Sequence, residues 1–201
     1  MRKIAIFGAG GLGREAADFA RECGYEEVIF TVDDEFMTKS EIDGFSVIPF
    51  SQIKIEEFIW VVAVANSLLR EEIIKKIEGK ANFATLIHPT AHKRLNSEIG
   101  EGAIIGEGVV ISINVKIGRH AIILGHSKIG HDCQIGDFVT IAPGSIISGN
   151  CKIEKNVFLG ANSSVKQGVT IAKNTVVGIG TVVLKNLDEG VYVGNPARKI
   201  K

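Results

Sequence analysis

Residues 99–141 read IGEGAI IGEGVV ISINVK IGRHAI ILGHSK IGHDCQ IGDFVT I, and the break after every sixth letter decides the fold. Each block opens on isoleucine, and the frame continues through Ile147, Ile153, Leu159, Val165, Ile171, Val177 and Val183 without a slip. Four positions after each of these stands a small or β-branched residue, from Ala103 and Val109 to Thr175 and Thr181. Period six is neither the strand period of two nor the helix period of 3.6. It fits a short strand followed by a tight turn, each strand sending one large aliphatic side chain inward. Three such strands close a triangular coil of eighteen residues, and coils stack at the sheet spacing of about 4.8 Å. The frame from Ile99 to Val183 predicts roughly four to five coils. Glycines after many of the aliphatics, such as Gly100, Gly118 and Gly136, supply the corners.

Upstream the period changes. KIAIF at 3–7 reads as a buried strand, GAGGLGREAADFARECG as a turn and helix, and EVIFTVDD as a second strand. FIWVVAVA predicts a third strand and SLLREEIIKKIEG a second helix, leaving ATLIHP to lead into the repeat. The chain therefore divides into a half-Rossmann-like α/β unit over residues 1–83 and a repeat unit with a short C-terminal tail over 84–201. Gly8-Ala9-Gly10-Gly11-Leu12-Gly13 follows a strand and opens a helix, where backbone N–H groups and the helix N-terminus hold a phosphate. Asp33 and Asp34 end the next strand, in reach of a ribose hydroxyl. A dinucleotide straddles two such halves and only one is present, so a mononucleotide-linked ligand such as a UDP-sugar is expected in place of NAD.

The chain has 201 residues, with 23 Lys and Arg against 23 Asp and Glu, which is not the electrostatic footprint of a nucleic-acid binder. Aromatics make up 6% and glycines number 23, which suits thin repeated layers better than a core packed around large rings. Cys23, Cys133 and Cys151 form no CxxC pair, and a reducing, cytoplasmic setting is expected, with Cys133 and Cys151 as buried thiols. The N-terminus lacks the apolar run of a secretory signal, and no stretch approaches the length of a membrane span.

The six-residue frame resembles the left-handed parallel β-helix of hexapeptide acyltransferases. Its handedness comes from that resemblance, since ordinary crossover rules favour the opposite hand. A small α/β unit ahead of such a helix resembles the bacterial sugar O- and N-acyltransferases. These include the UDP-4-amino-sugar N-acetyltransferases of bacillosamine biosynthesis, the perosamine N-acetyltransferases and the sialic acid O-acetyltransferases. The motifs that carry the resemblance are GAGGLG, VDD at 32–34, AVANSLLR at 63–70, IGHDCQIGDF at 129–138, GSIISGN at 144–150 and GNPARKI at 194–200.

The resemblance implies acetyl transfer from acetyl-CoA to the amino group of a nucleotide-linked sugar of the UDP-4-amino-4,6-dideoxy type, without a metal, in a homotrimer. It places a general base at His131, with Asp132 orienting it. Such a base is needed because the acceptor loses a proton as it attacks the thioester, and imidazole titrates near working pH. Gly149 follows His131 by eighteen residues, one coil along the same column, and the resemblance gives its N–H the thioester oxygen. Gly8, Ala9, Gly10, Gly11, Asp33, Asp34, Asn66 and Arg70 are expected on the nucleotide side. Acetyl-CoA is expected near Thr140, Ala161 and Ile179, with Pro143, Ala161 and Ile179 forming a column beside His131. Pro196 and Arg198 of the C-terminal motif are expected at the adenine end.

Leu12 and Thr140 stand where relatives carry histidines, and Ala65 where they often carry glycine. Among the other histidines, His88 reads as structural, His92 and His120 as surface residues, and His126 as a group that can approach His131. Three rival readings stay open: O-acetylation of a sialic acid or polysaccharide precursor, a non-catalytic nucleotide-sugar-binding scaffold, and an NAD-dependent enzyme.

Overall fold

A computed structural model describes residues 2–201. The N-terminal unit is built on a sheet of β1 (Lys3–Phe7), β2 (Glu27–Val32), β3 (Glu41–Ile42), β4 (Phe45–Pro49), β5 (Ile59–Val62) and β6 (Asn82–Phe83), in the order β3-β4-β2-β1-β5-β6. All pairings are parallel except the β3–β4 hairpin, whose Asp43-Gly44 turn was not expected from the sequence. Helix α1 (Gly11–Glu22) presents Ala16, Ala17 and Ala20 to the sheet, small residues that let it lie close. At its start, Gly8 takes φ +107, and a Cβ on Gly13 would run into the Gly8 carbonyl oxygen, so the turn admits no side chain at either position. Helix α2 (Ser67–Ile77) is capped by Asn66, whose side chain accepts from the Leu69 N–H at 3.0 Å.

From Leu86 onward the chain winds as a left-handed β-helix of two-residue strands on three faces. The first face carries Leu86–Ile87, Ile104–Ile105, Ile122–Ile123, Thr140–Ile141, Phe158–Leu159 and Val176–Val177. The second runs from His92–Lys93 to Val182–Val183, and the third from Glu98–Ile99 to Thr170–Ile171. Register is eighteen residues throughout, as in Ile105↔Ile123 and Ile123↔Ile141. The inward aliphatics from Ile105 to Val183 form one continuous core and are at most 4% exposed. Interior hydroxyls are satisfied by carbonyls, Ser127 Oγ by Ala142 O at 3.1 Å and Ser145 Oγ by Gly160 O at 3.0 Å. Corner residues including Asn114, Asp132, Asn150 and Asn162 hold φ between 56 and 58, the left-handed region that Asn and Asp tolerate.

The helix begins two strands, two-thirds of a coil, earlier than the frame from Ile99 predicts. Lys93 occupies an inward aliphatic position, but this is the open end of the stack, where its Nζ donates to Ser97 O at 2.8 Å.

The N-terminal unit sits on the first face. Leu86, Ile104 and Ile122, the outward side chains of the first three coils there, are fully buried in one cluster with Ala17, Ala20 and Phe30. Arg70 of α2 pins the junction, donating from Nε to His120 O at 2.9 Å and from Nη2 to Phe138 O at 2.6 Å. Burial pushes its guanidinium down to about 9. Beside it Glu71 accepts from Lys155 Nζ at 2.8 Å and Asn156 Nδ2 at 2.9 Å, and these bonds with Lys75 hold its carboxyl down at about 2. His120 is not a surface residue: it is 1% exposed, stacked on Phe138 and edge-on to Phe83. His88 is buried against Phe19, with Nε2 2.9 Å from Glu22. Among the described residues no helix is long and apolar enough to cross a membrane.

Candidate active site

The edge between the second and third faces is opposite the N-terminal unit, and His131 stands on it. Its Nδ1 lies 2.7 Å from Asp132 Oδ2. The other carboxylate oxygen, Oδ1, accepts from Asn114 Nδ2 at 3.0 Å. Asn114 first and His131 second hold the Asp132 carboxyl below the ordinary carboxylate range. Because Asp132 takes the left-handed corner, with φ 58, its side chain folds back to reach the neighbouring imidazole.

The imidazole lies flat over Gly149. A Cβ there would stand 2.5 Å from Nε2, 2.6 Å from Cε1 and 2.9 Å from Cδ2. Only glycine leaves room for this ring. The corner geometry also leaves the Gly149 N–H without a backbone acceptor among the described residues, while Asn150 N bonds back to His131 O at 2.8 Å. A half-exposed imidazole therefore covers a buried glycine whose N–H is not taken up by the backbone. With Nδ1–H given to Asp132, Nε2 keeps a lone pair that can take up a proton. Leu95 and Ile113 continue the column below His131 and are 82% and 48% exposed.

Other expected residues are placed differently. Pro143, Ala161 and Ile179 line up as a column, but on the edge between the first and second faces, so within one chain they do not adjoin His131. His126 is on that same edge, beside Glu15 and Pro143 in a cleft of about 270 Å³ against α1, and does not approach His131 either. Thr140 is fully buried, with Oγ1 bonded to Ala65 O at 2.9 Å and to Arg70 Nη2 at 3.0 Å. It belongs to the junction, where no acyl donor can touch it. Arg70 is 1% exposed and committed to carbonyls, so the expectation that it meets the nucleotide is corrected: it is a strut. Pro196 and Arg198 are exposed at the C-terminal end, where Arg198 borders a basic hollow with Lys185 and Lys199.

In the N-terminal unit Ala9 and Gly10 open a cleft of about 220 Å³ whose other walls include Phe36, Thr38, Lys39 and Ile42. Nothing lies within 4 Å of where a Cβ on Gly10 or Gly11 would stand, and α1 has no side-chain cap. Asp33 faces Lys76 at 3.5 Å. Asp34 instead accepts from the Ser51 N–H at 3.1 Å and from its hydroxyl, bonds that lower its carboxyl and tie it to the loop after β4. Asn66 is spent on capping α2 through Oδ1, though it also borders a cleft with Phe158 and Val176. Sequence reasoning missed Phe36, Thr38 and Lys39, which no motif marks, and Asn114, whose spacing of eighteen from Asp132 was the available signal.

Fold and site together define an acyltransferase of the hexapeptide β-helix class. Residues 3–77 match the PglD N-terminal domain and residues 82–191 the GMPPB C-terminal domain. The GDP-perosamine N-acetyltransferase of Escherichia coli O157:H7 is 37% identical over 170 residues, covering 79% of this chain and 75% of that protein. The acetyltransferase domain of PglB from Neisseria gonorrhoeae FA1090, solved with acetyl coenzyme A, superposes with TM-score 0.92 at 30% identity over 99% of both chains. PerB from Caulobacter crescentus, solved with CoA and GDP-perosamine, superposes with TM-score 0.91 at 28% identity over 100% of this chain and 98% of that one. The chain belongs to the sugar N-acetyltransferase family that joins a PglD-type N-terminal domain to a hexapeptide β-helix.

Proposed function

We propose that this protein transfers the acetyl group of acetyl-CoA to the amino group of a nucleotide-linked 4-amino sugar. The observation that carries the reading is the His131 imidazole, tethered through Asp132 and laid over Gly149, whose N–H has no backbone acceptor among the described residues. The acceptor nitrogen attacks the thioester carbonyl carbon and gives its proton to His131 Nε2. The Gly149 N–H holds the oxygen as it becomes negative. The carbonyl re-forms, the C–S bond breaks, and the imidazolium returns its proton to the departing CoA sulfur. Asp132 keeps the ring in the Nδ1–H tautomer and stabilises the imidazolium between these transfers.

Residues 1–83 hold the nucleotide in this reading and residues 84–201 carry out acyl transfer. The uncapped start of α1 with Gly10 and Gly11 takes the diphosphate, and Asp33 faces the nucleoside. The nucleotide cleft and His131 lie on opposite sides of one β-helix, so the complete site joins the cleft of one copy to the His131 edge of another. That supports the homotrimer, with Leu95 and Ile113 covered at the contact and acetyl-CoA running past Ala161 and Ile179 of the adjoining edge. A base in the diphosphonucleoside other than uracil, guanine in particular, is supported by what PerB is solved with. The cytoplasm is where such donors and acceptors are made, and the free thiols of Cys133 and Cys151 suit it.

The test is thiol release from acetyl-CoA with GDP- and UDP-linked 4-amino sugars and matched hydroxyl acceptors, comparing wild type with His131→Ala. Turnover on an amino sugar that collapses in the variant supports the reading. Turnover on hydroxyl acceptors alone replaces it with O-acetylation, and an unaffected variant removes the base.

A further inference from the structure

The carboxylate that holds His131 is itself held, and the residue holding it lies one coil away. The geometry points to Asn114 as a positioning residue for the acetyl transfer: by fixing the plane of the Asp132 carboxylate, it fixes the tautomer and direction of the His131 imidazole. The inference rests on the reading of His131 as the base.

Asp132 and His131 are both substantially exposed, with 44% and 48% of their side chains accessible. A surface carboxylate bonded to one imidazole through one oxygen is free to rotate about its χ angles. Here both oxygens are engaged, Oδ2 with His131 Nδ1 at 2.7 Å and Oδ1 with Asn114 Nδ2 at 3.0 Å. The Asn114 amide nitrogen can only donate, so it supports Asp132 as an ionised acceptor, the state that binds Nδ1–H and leaves Nε2 open.

The simpler account is that Asn stands at 114 because the corner needs a left-handed residue, at φ 57. Asn96 and Asn150 answer it. They occupy the same corner column, both at φ 57, and among the described residues neither side chain makes a hydrogen bond. The bond to Asp132 is additional to what the corner demands.

Asn114→Gly separates the two accounts, because glycine adopts φ 57 freely and removes only the amide. The expected result is a kcat about tenfold lower, the size of effect that outer partners of working histidines commonly have, with KM for both substrates within about twofold. Asn114→Asp keeps the corner but sets a carboxylate against Asp132 Oδ1 in place of the donor, and repulsion between like charges at that distance turns the Asp132 carboxylate out of its plane, so this variant lowers kcat at least as far as Asn114→Gly. Imidazole ¹⁵N shifts of the whole protein give a readout apart from turnover: the Nδ1–H tautomer of His131 dominates in wild type and loses its dominance in Asn114→Gly. Unchanged kcat and unchanged tautomer in Asn114→Gly, with His131→Ala inactive, overturn the inference and leave the base reading standing. Full activity of His131→Ala overturns the base reading itself.

Discussion

Gly149→Ala adds one methyl group beneath the catalytic imidazole, and its consequence can be worked out from the distances. The new carbon would stand 2.5–2.9 Å from three ring atoms, where ordinary contact begins near 3.4 Å. The ring must therefore withdraw by roughly 1 Å, a misplacement that costs about 100-fold in rate, equivalent to about 2.7 kcal/mol. Stability should barely change, because the obstacle is the exposed end of a side chain that can swing into solvent, and the backbone at 149 is not left-handed. The N–H of residue 149 survives the substitution, so the loss reports the base alone. Gly130→Ala is the contrasting control: its Cβ would meet the Gly149 N at 2.5 Å and the Ser148 carbonyl carbon at 2.6 Å, main-chain atoms that cannot yield. That variant should lose stability as well as activity. Steady-state thiol release and thermal melts on both variants make the comparison. A Gly149→Ala enzyme with kcat within threefold of wild type would refute the placement of His131 over Gly149.

Glu71, with its carboxyl held at about 2 against an ordinary 4.5, contributes stability present in full above pH 4.5 and lost as pH falls towards 2; the difference is worth up to about 3 kcal/mol, so Glu71→Gln should flatten the acid side of a stability-versus-pH curve measured by denaturant melts. Thr140→Val removes a buried hydroxyl between Ala65 and Arg70, and should lower stability by about 1–3 kcal/mol while leaving KM for acetyl-CoA within twofold. A large rise in that KM would return Thr140 to the donor site. Asp33→Ala should raise KM for the nucleotide sugar about tenfold, whereas Asp34→Ala should act mainly through loss of the Ser51 contacts, seen as faster limited proteolysis between residues 34 and 52.

The β-helix was legible because its signal is one-dimensional. An unbroken six-residue frame needs no tertiary context, and it also places Gly149 against His131 by counting. What escaped depended on contacts between distant segments. Arg70 carries the same charge whether it meets a phosphate or a row of carbonyls, and only the docking of α2 against His120 and Phe138 turns it inward. Thr140 and Phe158 occupy equivalent positions on the first face, yet Thr140 is buried and bonded under the Ala65–Ser67 segment while Phe158 only borders a cleft beside it. Counting by eighteen finds columns but does not by itself say which edge a column occupies, so Pro143 was set beside His131 although the whole second face separates their edges. The first two strands were hidden by Lys93, since the open end of a stack can tolerate a charge where the interior cannot.

The eighteen-residue register makes position along the β-helix axis discrete. A side chain cannot drift gradually up the edge on which His131 stands; it can move only by whole rungs of about 4.8 Å. The N-terminal unit is clamped to the lower coils through Leu86, Ile104 and Ile122, while the coils above Phe158 are held only by their neighbours. A full extra turn spliced there would lift the C-terminal pair of antiparallel strands, Val191–Val193 and Arg198–Lys199, by one rung and leave the catalytic edge untouched. The scaffold therefore works as a graduated ruler, on which the separation between the reacting centre and the far end of a long donor is set by an integer.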